Sequence, residues 1–231
     1  MKIQQISLRA YLWYDMIKIC ISFLYIRIVK IMLMLSEKYS AKLTGNPFLY
    51  TEIKEAAKLI QSGLSEKEIR IKAVEENIFN YKTIKSVPKR LHAIFERLNS
   101  IDDKLSEMLA KSPNEVGRLI NLYGIMKTDT LFLEFMEEVV LECYKNHQVK
   151  LINSDILRFF DNKSEQDQIV KNFSESTLKK LKQVYINILI GAGYIKDKKT
   201  LEISVPVFYF ELTNHLEVIG DKRYLRAMLG G

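Results

Sequence analysis

From Asn46 to Gly191, helix start and stop signals follow one another so closely that the chain has few options besides a helical fold. Asn46 and Pro47 read as an N-cap and first helical residue, and the helix they open stops at Gly63. Ser65 with Glu68 is a capping box that opens a second helix. A third starts near Ser86, Val87 and Pro88, with Leu91, Ile94, Phe95 and Leu98 at helical spacing. Leu105 to Ala110 is a short helical piece, and Ser112-Pro113 caps the next helix, which ends near Met126. Thr128 or Asp129 starts a strong helix through Leu133, Met136, Val140 and Tyr144. Its Glu134, Glu137, Glu138 and Glu142 predict an acidic exposed face.

The second half begins near Asn153 with a short helix holding Ile156, Leu157 and Phe160. Asp161 to Asp167 reads as a loop or frayed helix, and Ser174 caps a long helix ending near Gly191. Tyr194 to Tyr209 then switches to a period of two, with Lys196 to Lys199 at the turn, which predicts a β-hairpin. A terminal helical segment, Leu212 to Leu229, is split at Gly220-Asp221. The expected fold is mostly α: a helical bundle with helix-turn-helix-like segments and a winged-helix-like C-terminal half containing one small β-hairpin. The expected division is an apolar, basic extension over 1–37, a helical domain over 38–150, and a winged-helix-like domain with C-terminal helices over 151–231.

Within the extension, Met16 to Leu35 has the length of a membrane span, but Lys18, Arg27 and Lys30 interrupt it. Arg27 near its middle would cost about 2.5–3.5 kcal/mol on insertion, which argues against a membrane partner. Met32 and Met34 precede the polar stretch SEKYSAKLTG, and either can serve as initiator. Cys20 and Cys143 are far apart, which favours a reducing, cytoplasmic setting over a disulfide framework. His92, His147 and His215 have no partner at metal-ligand spacing, so no metal and no cofactor is expected. Phosphate-binding loops, zinc-hydrolase motifs and nucleophile elbows are missing from the sequence. Asp102-Asp103 and Glu137-Glu138 are helical neighbours pointing about 100° apart, so neither pair converges on one proton or metal. These absences point to a protein that is not an enzyme.

The net charge of +7 suggests an acidic partner, but residues 1–35 alone contribute +4 of it. Two local segments matter more. Gly63 to Leu98 reads as helix, turn, basic helix, and residues 80–100 carry a local +4 from Lys82, Lys85, Lys89, Arg90 and Arg97 against Glu96. With Ser86, these side chains sit where a recognition helix meets bases and phosphates. Ser154 to Tyr209 reads as short helix, long helix, hairpin. There Lys179, Lys180, Gln183 and Asn187 share one arc of the long helix, with Lys182 at its edge, opposite Leu178, Leu181, Val184, Tyr185 and Ile188. Lys196, Lys198 and Lys199 fall at the wing tip. Protein docking and simple solvation explain such basic faces too, and both readings stay open beside nucleic acid.

The run YSAKLTGNPFLYTE at Tyr39 to Glu52, the following GLSEKEI helix, the SVPKRL segment, and SESTLKKL followed by GAGYI resemble the BrxA family of the BREX phage-defence systems. The resemblance covers roughly residues 38–231 and leaves the first thirty-five uncovered. It implies a small helical, non-enzymatic component of a multi-protein bacterial defence island. The family has been compared with the RNA-binding protein NusB, and its members are thought to bind DNA. No catalytic residues come with it. The expected partners are therefore double-stranded DNA and other defence proteins. The alternatives are a protein-docking scaffold and an RNA binder in the NusB manner.

Overall fold

The computed structural model describes residues 39–229. The apolar, basic extension expected over 1–37, with its Met16 to Leu35 stretch, lies outside the described residues.

A 3-10 turn at Lys42–Thr44 leads through an extended loop into α1 (Tyr50–Gln61). The helix does not begin at Asn46-Pro47 as the sequence suggests. Its N-cap is Leu49, held in a left-handed conformation at φ 49° with no side-chain cap. The preceding carbonyls are claimed instead by a side chain from elsewhere: Arg97 donates to Asn46 O, Pro47 O and Phe48 O at 2.9 Å each.

The helix α2 (Glu66–Glu75) opens on the expected capping box, with Ser65 and Glu68 bonded in both directions. A second 3-10 turn, Ile84–Ser86, leads into α3 (Val87–Leu98), which buries Leu91, Ile94, Phe95 and Leu98. The connection from Glu76 to Ser86 far exceeds the three or four residues of a helix-turn-helix joint. Next come α4 (Asp103–Lys111), capped by Asp102, and α5 (Asn114–Thr128), buried over nearly its whole circumference.

Asp129 then caps a helical rod made of α6 (Thr130–Phe135), a π turn (Met136–Val140) and α7 (Leu141–Lys145). The glutamates expected to form an exposed acidic face are engaged in pairs; Glu134 is buried and Glu137 half-buried, while Glu138 and Glu142 stay exposed. Glu134 accepts from Tyr39 Oη at 2.6 Å and pairs with Lys163 at 2.7 Å. Glu138 meets the same Lys163 at 2.5 Å, Glu137 holds Arg223 through two bonds of 2.7 Å, and Glu142 pairs with Lys145. Lys163 is buried, and the two carboxylates hold its pKa up against the opposing pull of burial. This anchorage is why α8 (Asn153–Gln166) stays helical through Asp161 to Gln166, where the sequence suggests fraying.

A short α9 (Gln168–Lys171) precedes α10 (Glu175–Ala192), capped by Ser174 and closed by Gly193 at φ 88°. Tyr185 of α10 is fully buried in an aromatic cluster with Phe132, Phe135 and Phe160. Gly191 allows the Asn46–Phe48 loop to press on α10, since a Cβ there would lie 2.5 Å from the Phe48 ring. One hydrophobic core thus draws on every helix from α1 to α12, the last two being α11 (Phe210–Val218) and α12 (Lys222–Leu229).

The expected β-hairpin and winged helix are not present. Among the described residues there is no sheet, only isolated bridges pairing Ile195 with Ile203 and Lys150 with Glu202. Period-two spacing at Leu201, Ile203 and Val205 does not extend the ladder, because the partner chain turns away. Leu201 takes a φ of 53°, and the opposite side bends into a tight turn at Asp197.

A buried acid in this core carries a pH signature. Asp129 Oδ1 caps Phe132 N at 2.9 Å, while Oδ2 is buried with no hydrogen-bond partner. Burial pushes its pKa up to about 6, against the pull of the Phe132 amide, Lys42 and Arg97. A raised acid pKa means that the folded state holds the proton more tightly than the unfolded state. The contribution of this one group to stability is therefore greatest below about pH 4, falls as pH rises towards 6, and stays at the lower level above it. Asp129→Asn keeps the capping oxygen and removes the buried charge. It is expected to raise unfolding free energy at pH 8 by roughly 1–3 kcal/mol and to leave it unchanged near pH 4. Urea unfolding at the two pH values checks this, and lower stability of the variant at pH 8 would contradict it.

Candidate nucleic-acid interface

The first basic segment is partly consumed by the fold. Arg97 is 2% exposed, and it serves the loop carbonyls rather than a surface. Burial lowers its pKa to about 10, which leaves it charged at neutral pH. It is removed from the candidate interface. Arg90 lies over the Tyr81 ring at 4.7 Å and 3.8 Å from Glu52. Burial, with Glu52 nearby, pushes the Tyr81 phenol up to about 12. Ser86 Oγ donates to Thr83 O, and so turns to its own backbone. Lys89 is exposed and folds over Gly45, where an added Cβ would meet its Nζ at 2.6 Å. Lys82 and Lys85 are exposed, with no protein partner among the described residues. The remaining charge borders a groove lined by Glu52 and Glu55, which weakens its pull on an anion.

The second segment keeps its charge free. Leu181, Val184, Tyr185 and Ile188 fix one side of α10 in the core, which forces the opposite side into solvent. Lys179, Lys180 and Gln183 are exposed and Lys182 is half-exposed; none has a partner among the described residues. They lie in the N-terminal half of α10 but beyond its first turn, so their own charge, and not the helix dipole, supplies the attraction for a phosphate. Lys171, at the end of α9 just before this helix, is exposed and unpaired as well. Its place on a separate short helix, off the arc of α10, hid it from the sequence reading as a contact residue.

The turn expected to serve as a wing does not join this patch. Lys196 is held by Glu202, while Lys198 and Lys199 are exposed beside Asp197, whose carboxylate organises the turn. The turn follows the C-terminal end of α10, about 15 Å along the axis from Lys182. A backbone lying across Lys179–Lys182 would have to follow the helix to reach Lys198 and Lys199.

Many other basic side chains are neutralised within the protein, among them Lys42 by Glu96, Lys127 by Asp221 and Arg223 by Glu137. Lys67, Lys104, Lys150, Lys222 and Arg226 are also exposed and unpaired among the described residues; what sets α10 apart is three unpaired lysines within four residues. Among the described residues, no group of three potential ligands is placed to hold a metal ion, and no helix is long and apolar enough to cross a membrane.

The BrxA family model matches residues 37–220. A protein named BREX protein BrxA from Bacillus cereus (strain H3081.97) is 36% identical over 193 residues, covering 83% of this chain and 96% of its own length. Another of that name, from Paramagnetospirillum magneticum (strain ATCC 700264 / AMB-1), is 20% identical over 195 residues, covering 84% and 98%. The crystal structure of an uncharacterized protein from Magnetospirillum magneticum shares the fold, with a TM-score of 0.72 and 21% identity. It is covered over its whole length by 84% of this chain.

Proposed function

The chain belongs to the BrxA family, and from that premise we propose that it is a cytoplasmic, non-enzymatic component of a BREX phage-defence system that holds duplex DNA mainly by its phosphate backbone. The observation that carries the DNA reading is the run Lys179, Lys180 and Lys182, half or fully exposed and unpaired among the described residues, in the N-terminal half of an 18-residue helix. Gln183 beside them offers an amide to base edges or phosphates. Lys171 extends the patch before the helix, and Lys198 and Lys199 form a separate contact point past the far end, reached only by a backbone that follows the helix. Lys82, Lys85 and Lys89 form a second, weaker contact region. Other proteins of the defence system are its further partners.

Phosphate contacts release counterions, so the affinity falls with salt and changes little with sequence. The test is a salt series of binding to two unrelated duplexes of equal length. The expected result is a steep, shared slope of log affinity against log salt. A flat slope, or no gel shift even at low salt, would remove the DNA reading and leave the docking scaffold. Equal competition by duplex RNA would favour the RNA-binding alternative.

A further inference from the structure

A stretch of backbone after the second bridge is unused by the fold. Val205 to Tyr209 runs without a turn or bend, and Tyr209 closes it in extended geometry. No backbone group of Val205 to Phe208 is hydrogen-bonded among the described residues, and the amide of Tyr209 donates to nothing. Val205 and Val207 are 67% and 69% exposed and Tyr209 is 40% exposed, while Phe208 between them packs against the core. That is the alternation of a strand with one free face, yet no neighbouring strand lies beside it among the described residues.

The direction of the free edge follows from the two bonds just before it. Ile203 N donates to Val149 O, and Ser204 N donates to Tyr194 O, so odd and even residues face opposite edges. Continued, the alternation turns the N–H and C=O groups of Val205 and Val207, and the N–H of Tyr209, to the edge that Val149 occupies one step earlier; Tyr209 O already accepts from Leu212 N and Thr213 N at the start of α11. That edge is vacated because the chain bends at His147, at φ 52°. Pro206, which has no N–H to offer, falls on the other edge, beside Gly193. The proline thus costs the open edge no donor.

We propose that this edge accepts an extended segment of a partner protein by strand addition. The partner chemistry follows from the surroundings. Alternate apolar side chains would pack on Val205 and Val207. An arginine at the end nearest α11 would meet Glu211, which is exposed and unpaired, and the face of Phe210, which is 81% exposed. The site is separate from the lysines of α10, and its chemistry suits a peptide rather than a nucleic acid.

The probe is a synthetic peptide of alternating valine and threonine with arginine at one end, titrated into the full chain by fluorescence anisotropy. Val207→Pro removes one donor from the open edge and is compatible with an extended backbone; Val207→Thr keeps the donor. The expected result is saturable binding, weakened at least tenfold by Val207→Pro, and less than threefold by Val207→Thr. Replacing the terminal arginine with glutamate weakens it a further several-fold. Unchanged thermal unfolding of both variants shows that the loss is local. No binding, or equal binding to Val207→Pro, overturns the proposal. So does a concentration-dependent dimer abolished by Val207→Pro, which would assign the edge to a second copy of this chain.

Discussion

Arg97→Met is expected to lower the unfolding free energy by about 3–5 kcal/mol while leaving the DNA affinity of the folded fraction within about twofold of wild type. The arginine is buried and makes three bonds to the loop that launches α1. Without it, Asn46 O and Pro47 O lose their recorded donor, at roughly 1–3 kcal/mol each. Phe48 O keeps the Asn121 side-chain amide at 2.6 Å. Removing a buried cation returns part of this cost, but it also takes a favourable charge away from Asp129. Arg97→Lys is expected to recover less than half of the loss, because one ammonium cannot span carbonyls of three successive residues. Urea unfolding measures the first effect and a filter-binding titration the second. A variant that folds as wild type does and loses DNA binding would return Arg97 to the interface.

Reversing the charge of Lys179, Lys180 and Lys182 together, each to Glu, is expected to weaken duplex binding by about 10²- to 10³-fold near 0.1 M salt. The slope of log affinity against log salt should fall by about 3, since each lysine accounts for about one phosphate contact. The loss should be equal for unrelated sequences, because phosphate contacts carry no base information. These positions are half or fully exposed and lack protein partners, so stability should change by little more than 0.5 kcal/mol. The same reversal at Lys82 and Lys85 is expected to cost less, since Glu52 and Glu55 already oppose an anion there. Wild-type affinity in the triple variant, with wild-type unfolding, would assign the face of α10 to solvation alone.

The two basic segments look alike in the sequence, and the fold treats them differently for a physical reason. In α10 the apolar residues recur so regularly that they fix which arc is buried, and the lysines follow onto the other arc. In α3 both neighbours of Arg97 in space come from distant sequence: the Asn46–Phe48 loop and Asn121 of α5. An arginine at that spacing reads as surface charge until the three carbonyls opposite it are known. The acidic rod misleads in the same way. Glu134 and Glu138 share one face with helical spacing, and only the approach of Lys163 from α8 buries Glu134 and neutralises both.

The hairpin expectation failed over a different interaction. Alternation of apolar and polar residues reports that a segment is extended with one side buried, and Val205 to Tyr209 is such a segment. It does not report whether a second strand runs alongside. Here the chain around Asp197 and His147 turns away after single bridges, so extension survives without a ladder.

The sequence by itself determined most of the helices, the Ser65 and Ser174 caps, Asp129 as one of two candidates for a third, and the split between α11 and α12, because these rest on contacts within a few residues. It also determined that α10 carries its lysines outward. Tertiary structure alone decided that Arg97 is a core residue, that Glu134, Glu137 and Glu138 of the rod are cross-links, and that Val205 to Phe208 has no strand beside it among the described residues. Each of those outcomes depends on a partner tens of residues away, or on the lack of one, and local pattern holds no record of either.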